Sequence, residues 1–244
     1  MSYEYKLKSI LLFNHIMLTI GLVYANPSWL WLSLVGWFIF GRVGGEIGLH
    51  RYLSHKSFKT GPLRRKFLIV ISIFNCFGSP IFWCGTHRKH HQASDAEGDP
   101  HGYQSMWRIW STFWKPFIVE RKYVADLVKD PFIKLIHQNY LKILITSYII
   151  LAVIDWRIAV FLISVPTVIT FHSAGAVNSI CHRWGYRLFN TSDKSTNNTF
   201  INLITLGCGL HNTHHAKPYS WNNKERWYEI DLPAWVIKNF LIKT

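Results

Sequence analysis

Apolar residues in this chain gather into long unbroken runs, with polar stretches between them. Five runs stand out, at Ile10 to Tyr24, Trp29 to Gly48, Phe67 to Cys84, Leu141 to Ile154 and Ile158 to Val177. Several approach the roughly 20 residues a helix needs to cross a bilayer core. Only Asn26-Pro27 and its flanks separate the first two, and only Asp155-Trp156-Arg157 the last two, so each pair predicts a helical hairpin with a tight turn. Lys6 and Lys8 before the first run and Val23-Tyr24-Ala25 after it resemble a signal peptide. The second run begins directly after Pro27, which favours an uncleaved first helix.

Composition adds little, because 49% hydrophobic and 16% aromatic residues suit a membrane protein and a large soluble core alike. Charge adds more. The net charge is +14, yet of the 27 Lys and Arg only Arg157 falls in the two tight turns. That asymmetry is the positive-inside pattern, and it predicts cytoplasmic tails and a cytoplasmic middle segment. It accounts for the basic balance as membrane orientation and attraction to anionic headgroups, without nucleic-acid binding. Cys76, Cys84, Cys181 and Cys208 stand singly, so they suggest packing residues and neither a disulfide framework nor an iron-sulfur site.

The polar stretches carry the chemistry. Of 13 histidines, nine fall in four places: His50 and His55; His87, His90 and His91; His182; and His211, His214 and His215. Spacings of i, i+3 and i+4 put three imidazoles on one helix face, and the H-x-x-H-H arrangement occurs twice. One copy would fit an exposed or zinc-binding helix. Eight or nine nitrogen ligands are too many for a single tetrahedral zinc and suit two metals of higher coordination number, of which iron is the one that handles O2 and strong C–H bonds. No Glu-x-x-His motif is present for a carboxylate-bridged site. Glu46, four residues before His50, is a candidate partner for its ring.

The four histidine groups can meet only on one side of a membrane, so an even number of crossings must separate them. The second hairpin between His91 and His182 satisfies this. Phe67 to Cys84 therefore does not span, and is expected to be an interfacial or protein-buried helix, with Arg64 to Lys66 at the headgroups and Asn75, Gly78 and Pro80 interrupting it. The resulting fold class is an all-α integral membrane protein, a single domain over 1–244. Its two hairpins (four transmembrane helices) lie at about 10–48 and 141–177, and a cytoplasmic helical cap at about 49–140 and 178–244.

His50-Arg51-Tyr52-Leu53-Ser54-His55, His87 to His91 with Asp99-Pro100-His101, Val177-Asn178-Ser179 with His182, and His211 to His215 with Ala216-Lys217-Pro218 resemble the membrane-bound fatty acid desaturases of the stearoyl (Δ9) type, bacterial-type branch. The resemblance runs from about Gly41 to Trp227. It implies two Fe ions held by His50, His55, His87, His90, His91, His182, His211, His214 and His215, with Asn178 placing a water on one of them. It further implies O2-dependent desaturation of a long-chain fatty acyl substrate linked to CoA, lipid or carrier protein. Two electrons would come from an external donor such as ferredoxin or cytochrome b5, and the acyl chain would lie in a bent apolar tunnel. Where the family carries Gly-Glu-Gly before its last box, this chain reads Gly207-Cys208-Gly209.

Other readings stay open at the sequence level: a histidine-box hydroxylase or ketolase acting on lipid or carotenoid, or a membrane metal transporter, whose ligands would lie near mid-membrane as His15 and His172 do. His101 matches the family position but reads as part of a turn with a helix cap, Asp193, Asn197 and Asn198 match family positions and fit a polar loop equally well, and His172 reads as a neutral hydrogen-bonding contact in the bundle.

Overall fold

The computed structural model describes residues 3–101 and 118–242; the expected cap residues 102–117 lie outside the described residues. Helices dominate, and among the described residues the extended pairing is confined to isolated bridges, Tyr186 to Asn197 and Asn197 to Leu210. Helix α1 (Tyr3–Tyr24) and α2 (Pro27–Ser54) flank the turn at Asn26, whose side chain accepts a hydrogen bond from Ser28 N–H. Both are long and apolar enough to cross a membrane, and so is the rod Pro131–Ile180. They turn Leu12, Leu22, Val23, Ile149, Ile150 and Val153 outward, all more than half exposed. Such a belt is costly in water and neutral in lipid.

The rod Pro131–Ile180 is not straight. It begins where the Asp130 carboxylate caps Phe132 and Ile133 N–H, with Pro131 at the first helical position. At Asp155 the backbone leaves helical geometry (φ −162°, ψ 119°), which divides it into α5 (Pro131–Ala159, as far as the break) and a return arm, π-wound over Val160–Ser164 and continuing as α6 (Val165–Ile180). The arms pack on each other, with Tyr148 Oη 3.0 Å from Ser164 Oγ. Arg157 pairs with Asp155 at 2.6 Å and lies 4.8 Å from the Trp29 ring, which clasps the two turns together at one end of the bundle. Gly36 permits close contact between α2 and the return arm: a Cβ there would stand 2.2 Å from Leu162 O.

The middle apolar run is broken. Helix α3 (Pro62–Ile71) runs through a 3-10 turn (Ser72–Asn75) to Cys76 and Gly78, both at positive φ, and α4 (Pro80–Ala93) starts afresh under a Ser79 cap, bent by 83° from the first segment. Asn75, Gly78 and Pro80 interrupt it as the sequence predicts. The bend aims α4 back across α2, where Leu49, Leu53, Ile69, Ile81 and Cys84 share one core with Ile136 and Tyr140. Short helices α7 (Thr199–Thr205), α8 (His211–Ala216) and α9 (Leu232–Val236) complete the far end.

Candidate metal centre

Helix α2 continues past Gly48 through His50 to Ser54. From Trp37 to Ser54 it is wound as a π-helix, and His55 N–H bonds His50 O at 3.2 Å. An i, i+5 pair diverges on an α-helix, but this wider winding stacks it on one face, so His50 and His55 approach to a ring separation of 5.0 Å. On α4 and α8 ordinary winding performs the same task for the two H-x-x-H-H boxes. Asn197 holds α8 in place by accepting from Thr213 N–H and donating to Thr213 Oγ1. Asn212 accepts from Leu188 and Phe189 N–H, tying α8 to the loop after His182.

All nine predicted histidines converge, and they divide into two groups. His50, His55, His87, His91 and His214 form one; His90, His182, His211 and His215 form the other, and within each group one ring nitrogen per residue lies within 4.8 Å of the others. Helices α4 and α8 each contribute to both. Several Nε2 atoms nearly touch: His55 to His87 at 2.8 Å, His50 and His91 to His214 at 2.9 Å each, and His182 to His211 at 3.0 Å.

Carboxylates decide which way the lone pairs face. Glu46 stands 2.9 Å from His50 Nδ1, Asp99 2.9 Å from His90 Nδ1, Asp95 2.8 Å from His182 Nδ1 and Asp193 2.6 Å from His215 Nδ1. A carboxylate only accepts, so each of these Nδ1 atoms donates and Nε2 is the ring nitrogen turned toward the centre. The Nε2 atoms of His90 and His215 are buried without any hydrogen-bond partner. Burial pushes the His211 and His214 imidazoles well below the ordinary histidine range, and His215 downward too, although Asp193 opposes it. Nδ1 atoms held by carboxylates and orphaned inward Nε2 atoms suit imidazole-bound metal.

A cavity of about 240 Å³ adjoins the centre, walled near it by His50, His87, His211 and His214 and toward the bundle by Leu11, Phe77, Phe171 and Ala174. Asn178 lines this cavity. Buried Arg42 also lines it, and donates to Thr205 O at 3.0 Å and Cys208 Sγ at 2.8 Å, so the thiol occupies the place opposite a guanidinium where a carboxylate would pair.

Residues 27–241 match the sequence profile of the fatty acid desaturase family. This chain belongs to that family. It is 31% identical over 235 residues to the sn-1 stearoyl-lipid 9-desaturase of Anabaena variabilis, covering 93% of this chain and 86% of that protein. It is 33% identical over 223 residues to the sn-2 palmitoyl-lipid 9-desaturase of a Nostoc species (86% and 78%). The Acyl-CoA C20 Delta5-desaturase of Anemone leveillei is 33% identical over 221 residues (86% and 71%).

Within this desaturase-family chain, Glu46 takes the partner role that its spacing suggests. Asp193 does more than form a polar loop, since its side chain orients His215. Asp95 and Asp99 had no such reading in sequence; Asp99 follows His90 by nine residues, and Asp95 precedes His182 by 87, a separation no local pattern reveals. His101 donates its backbone N–H to Asp99, as a turn would, and its ring lies 4.6 Å from that of His90. His15 and His172, the pair a transporter would need, bond each other at 3.1 Å away from the nine, and His137 meets Ser79 Oγ at 2.5 Å.

Proposed function

We propose that this chain is an O2-dependent fatty acyl desaturase acting on a long-chain substrate at the Δ9 position. Its two transmembrane hairpins would carry a cap, with termini and histidines on the cytoplasmic side. The observation that carries the reading is the junction of two groups of inward-facing imidazoles with a cavity whose far wall is apolar. His50, His55, His87, His91 and His214 would hold one iron, and His90, His182, His211 and His215 the other, with Asn178 placing a water beside them. Iron bound there supplies the redox chemistry with O2 that removal of hydrogen from an unactivated methylene needs. The protein's part is positional. Leu11, Phe77 and Phe171 would hold the hydrocarbon in a dry channel, and the four carboxylates would keep each Nε2 available. The lipid-linked substrates named for the cyanobacterial relatives support an acyl-lipid substrate here.

Expression in a desaturase-deficient host, with double bonds located by mass spectrometry, tests the proposal. A new alkene at carbons 9 and 10 without hydroxylated product is the expected result. A hydroxylated or keto product would overturn it.

A further inference from the structure

Converting –CH2–CH2– to –CH=CH– with O2 consumes two electrons and two protons and releases two waters. The electrons must therefore reach the histidine centre from a carrier outside the chain. The cavity approaches the centre from the bundle side, and its wall contains no residue between Asn178 and Thr205. On that stretch, 179–204, which carries His182, exposed residues are linked to the centre through hydrogen bonds. Lys194 N–H donates to Asp95 Oδ2 at 2.8 Å, and the same oxygen stands 2.8 Å from His182 Nδ1. Arg187 donates to the Asp193 carbonyl at 2.8 Å, and the Asp193 carboxylate holds His215. Two histidines of one metal group are thus each a single residue removed from the exposed loop.

That loop is cationic. Arg183, Arg187 and Lys194 are exposed, as is Trp184 beside them. The segment 217–229 extends the surface: Lys217 Nζ lies 4.6 Å from the Phe189 ring and the Arg226 guanidinium 4.9 Å from Tyr186, while Trp227 is 88% exposed. The carboxylates of these two segments are engaged, Asp193 with His215, Glu225 with Lys217 at 2.7 Å, and buried Glu229 with Tyr186 Oη at 2.6 Å. Glu97, on the turn that carries Asp95, is exposed and marks one edge. Exposed Arg183 and Lys194 beside exposed Trp184, with Arg187 and Arg226 adding positive charge, fit an acidic protein partner, since charge steers the encounter and aromatic side chains anchor it.

We propose that the surface formed by Arg183 to Lys194 and Lys217 to Trp227 is where an acidic one-electron carrier protein docks, delivering electrons beside Asp95 and His182. This rests on the desaturase reading above. The test uses the full iron-loaded chain in nanodiscs of neutral lipid, with a plant-type [2Fe–2S] ferredoxin as probe and binding read by biolayer interferometry at several salt concentrations.

Affinity should fall steeply with ionic strength. The double variant Arg183→Glu, Lys194→Glu should bind about tenfold more weakly or worse, equivalent to about 1.4 kcal/mol, at unchanged iron content. Lys134→Glu, an exposed charge reversal on α5, should bind as the unaltered chain does. Equal affinity of the double variant and the unaltered chain would overturn the proposal. So would loss of binding to anionic vesicles with ferredoxin binding intact, which would make the patch a lipid contact. Alkene formation driven by a chemical reductant reports on the desaturase reading separately, so either can fail alone.

Discussion

Asp95 and His182 are joined by a 2.8 Å contact across 87 residues of sequence, with Asp95 held in a left-handed conformation (φ 62°) that few side chains tolerate. The same carboxylate oxygen takes the Lys194 N–H, so one residue fixes both the tautomer of His182 and the start of the loop beyond it. Asp95→Asn keeps an acceptor and a residue suited to positive φ, whereas Asp95→Ala loses both. Iron per chain and turnover per iron should decrease from the unaltered chain to Asn to Ala, with Ala reduced about 10 to 100-fold. Metal analysis alongside turnover checks the order; an Ala variant equal to the unaltered chain would remove Asp95 from the positioning set.

His182 and Asn178 lie one helical turn apart and should fail differently. His182→Ala removes a ring nitrogen that nothing else replaces, so one metal and essentially all desaturation should be lost. Asn178→Ala should keep most of its metal and turn over slowly. Iron content and turnover per folded molecule, measured side by side, distinguish the two outcomes.

The division of α8 between the two groups predicts a stoichiometric effect. His214→Ala strikes the five-histidine group and His211→Ala the four-histidine group, so each should lower iron from two per chain toward one while leaving different spectroscopic signatures on the remaining ion. Mössbauer spectra of the two variants test this; identical spectra would contradict the partition.

Chelation should destabilise the fold as well as abolish activity, because the metal would bind the assembled histidines far better than the unfolded chain. At free iron 100 times Kd the expected contribution is about 2.7 kcal/mol. A Tm that does not change between chelated and reloaded protein in detergent would rule it out.

Gly36 has a backbone carbonyl where its side chain would be. Gly36→Ala should force α2 from the return arm and cost about 1–3 kcal/mol, read as a lower Tm. The clasped turns at Asn26 and Asp155 make a topological companion: a glycosylation acceptor in a lengthened Asn26-Pro27 loop should be modified, and one at Asp95 should not.

Much of this was legible in sequence because it is periodic or compositional. Apolar runs give the long apolar helices, Asn75, Gly78 and Pro80 announce the break between α3 and α4, and i, i+3, i+4 spacing displays the boxes. What stayed hidden depends on winding and on distant contact. The His50 and His55 spacing matches no α-helical face, and only the π-winding of α2 explains how the two meet. Asp99 looked like the start of a turn and Asp193 like a polar loop, because nothing local says which ring a carboxylate will face. Cys208 was visible as a departure from Gly-Glu-Gly, but its neighbour Arg42 comes from 166 residues away.

The sharing of α4 and α8 between the two histidine groups also sets an order of events during synthesis. Neither group is complete until His214 and His215 have left the ribosome. The first hairpin and α4 must wait with five histidines already made, and their closing contacts span more than 100 residues. Assembly of either histidine group therefore waits for α8, and a chain cut short before it would keep the long apolar helices but complete neither group.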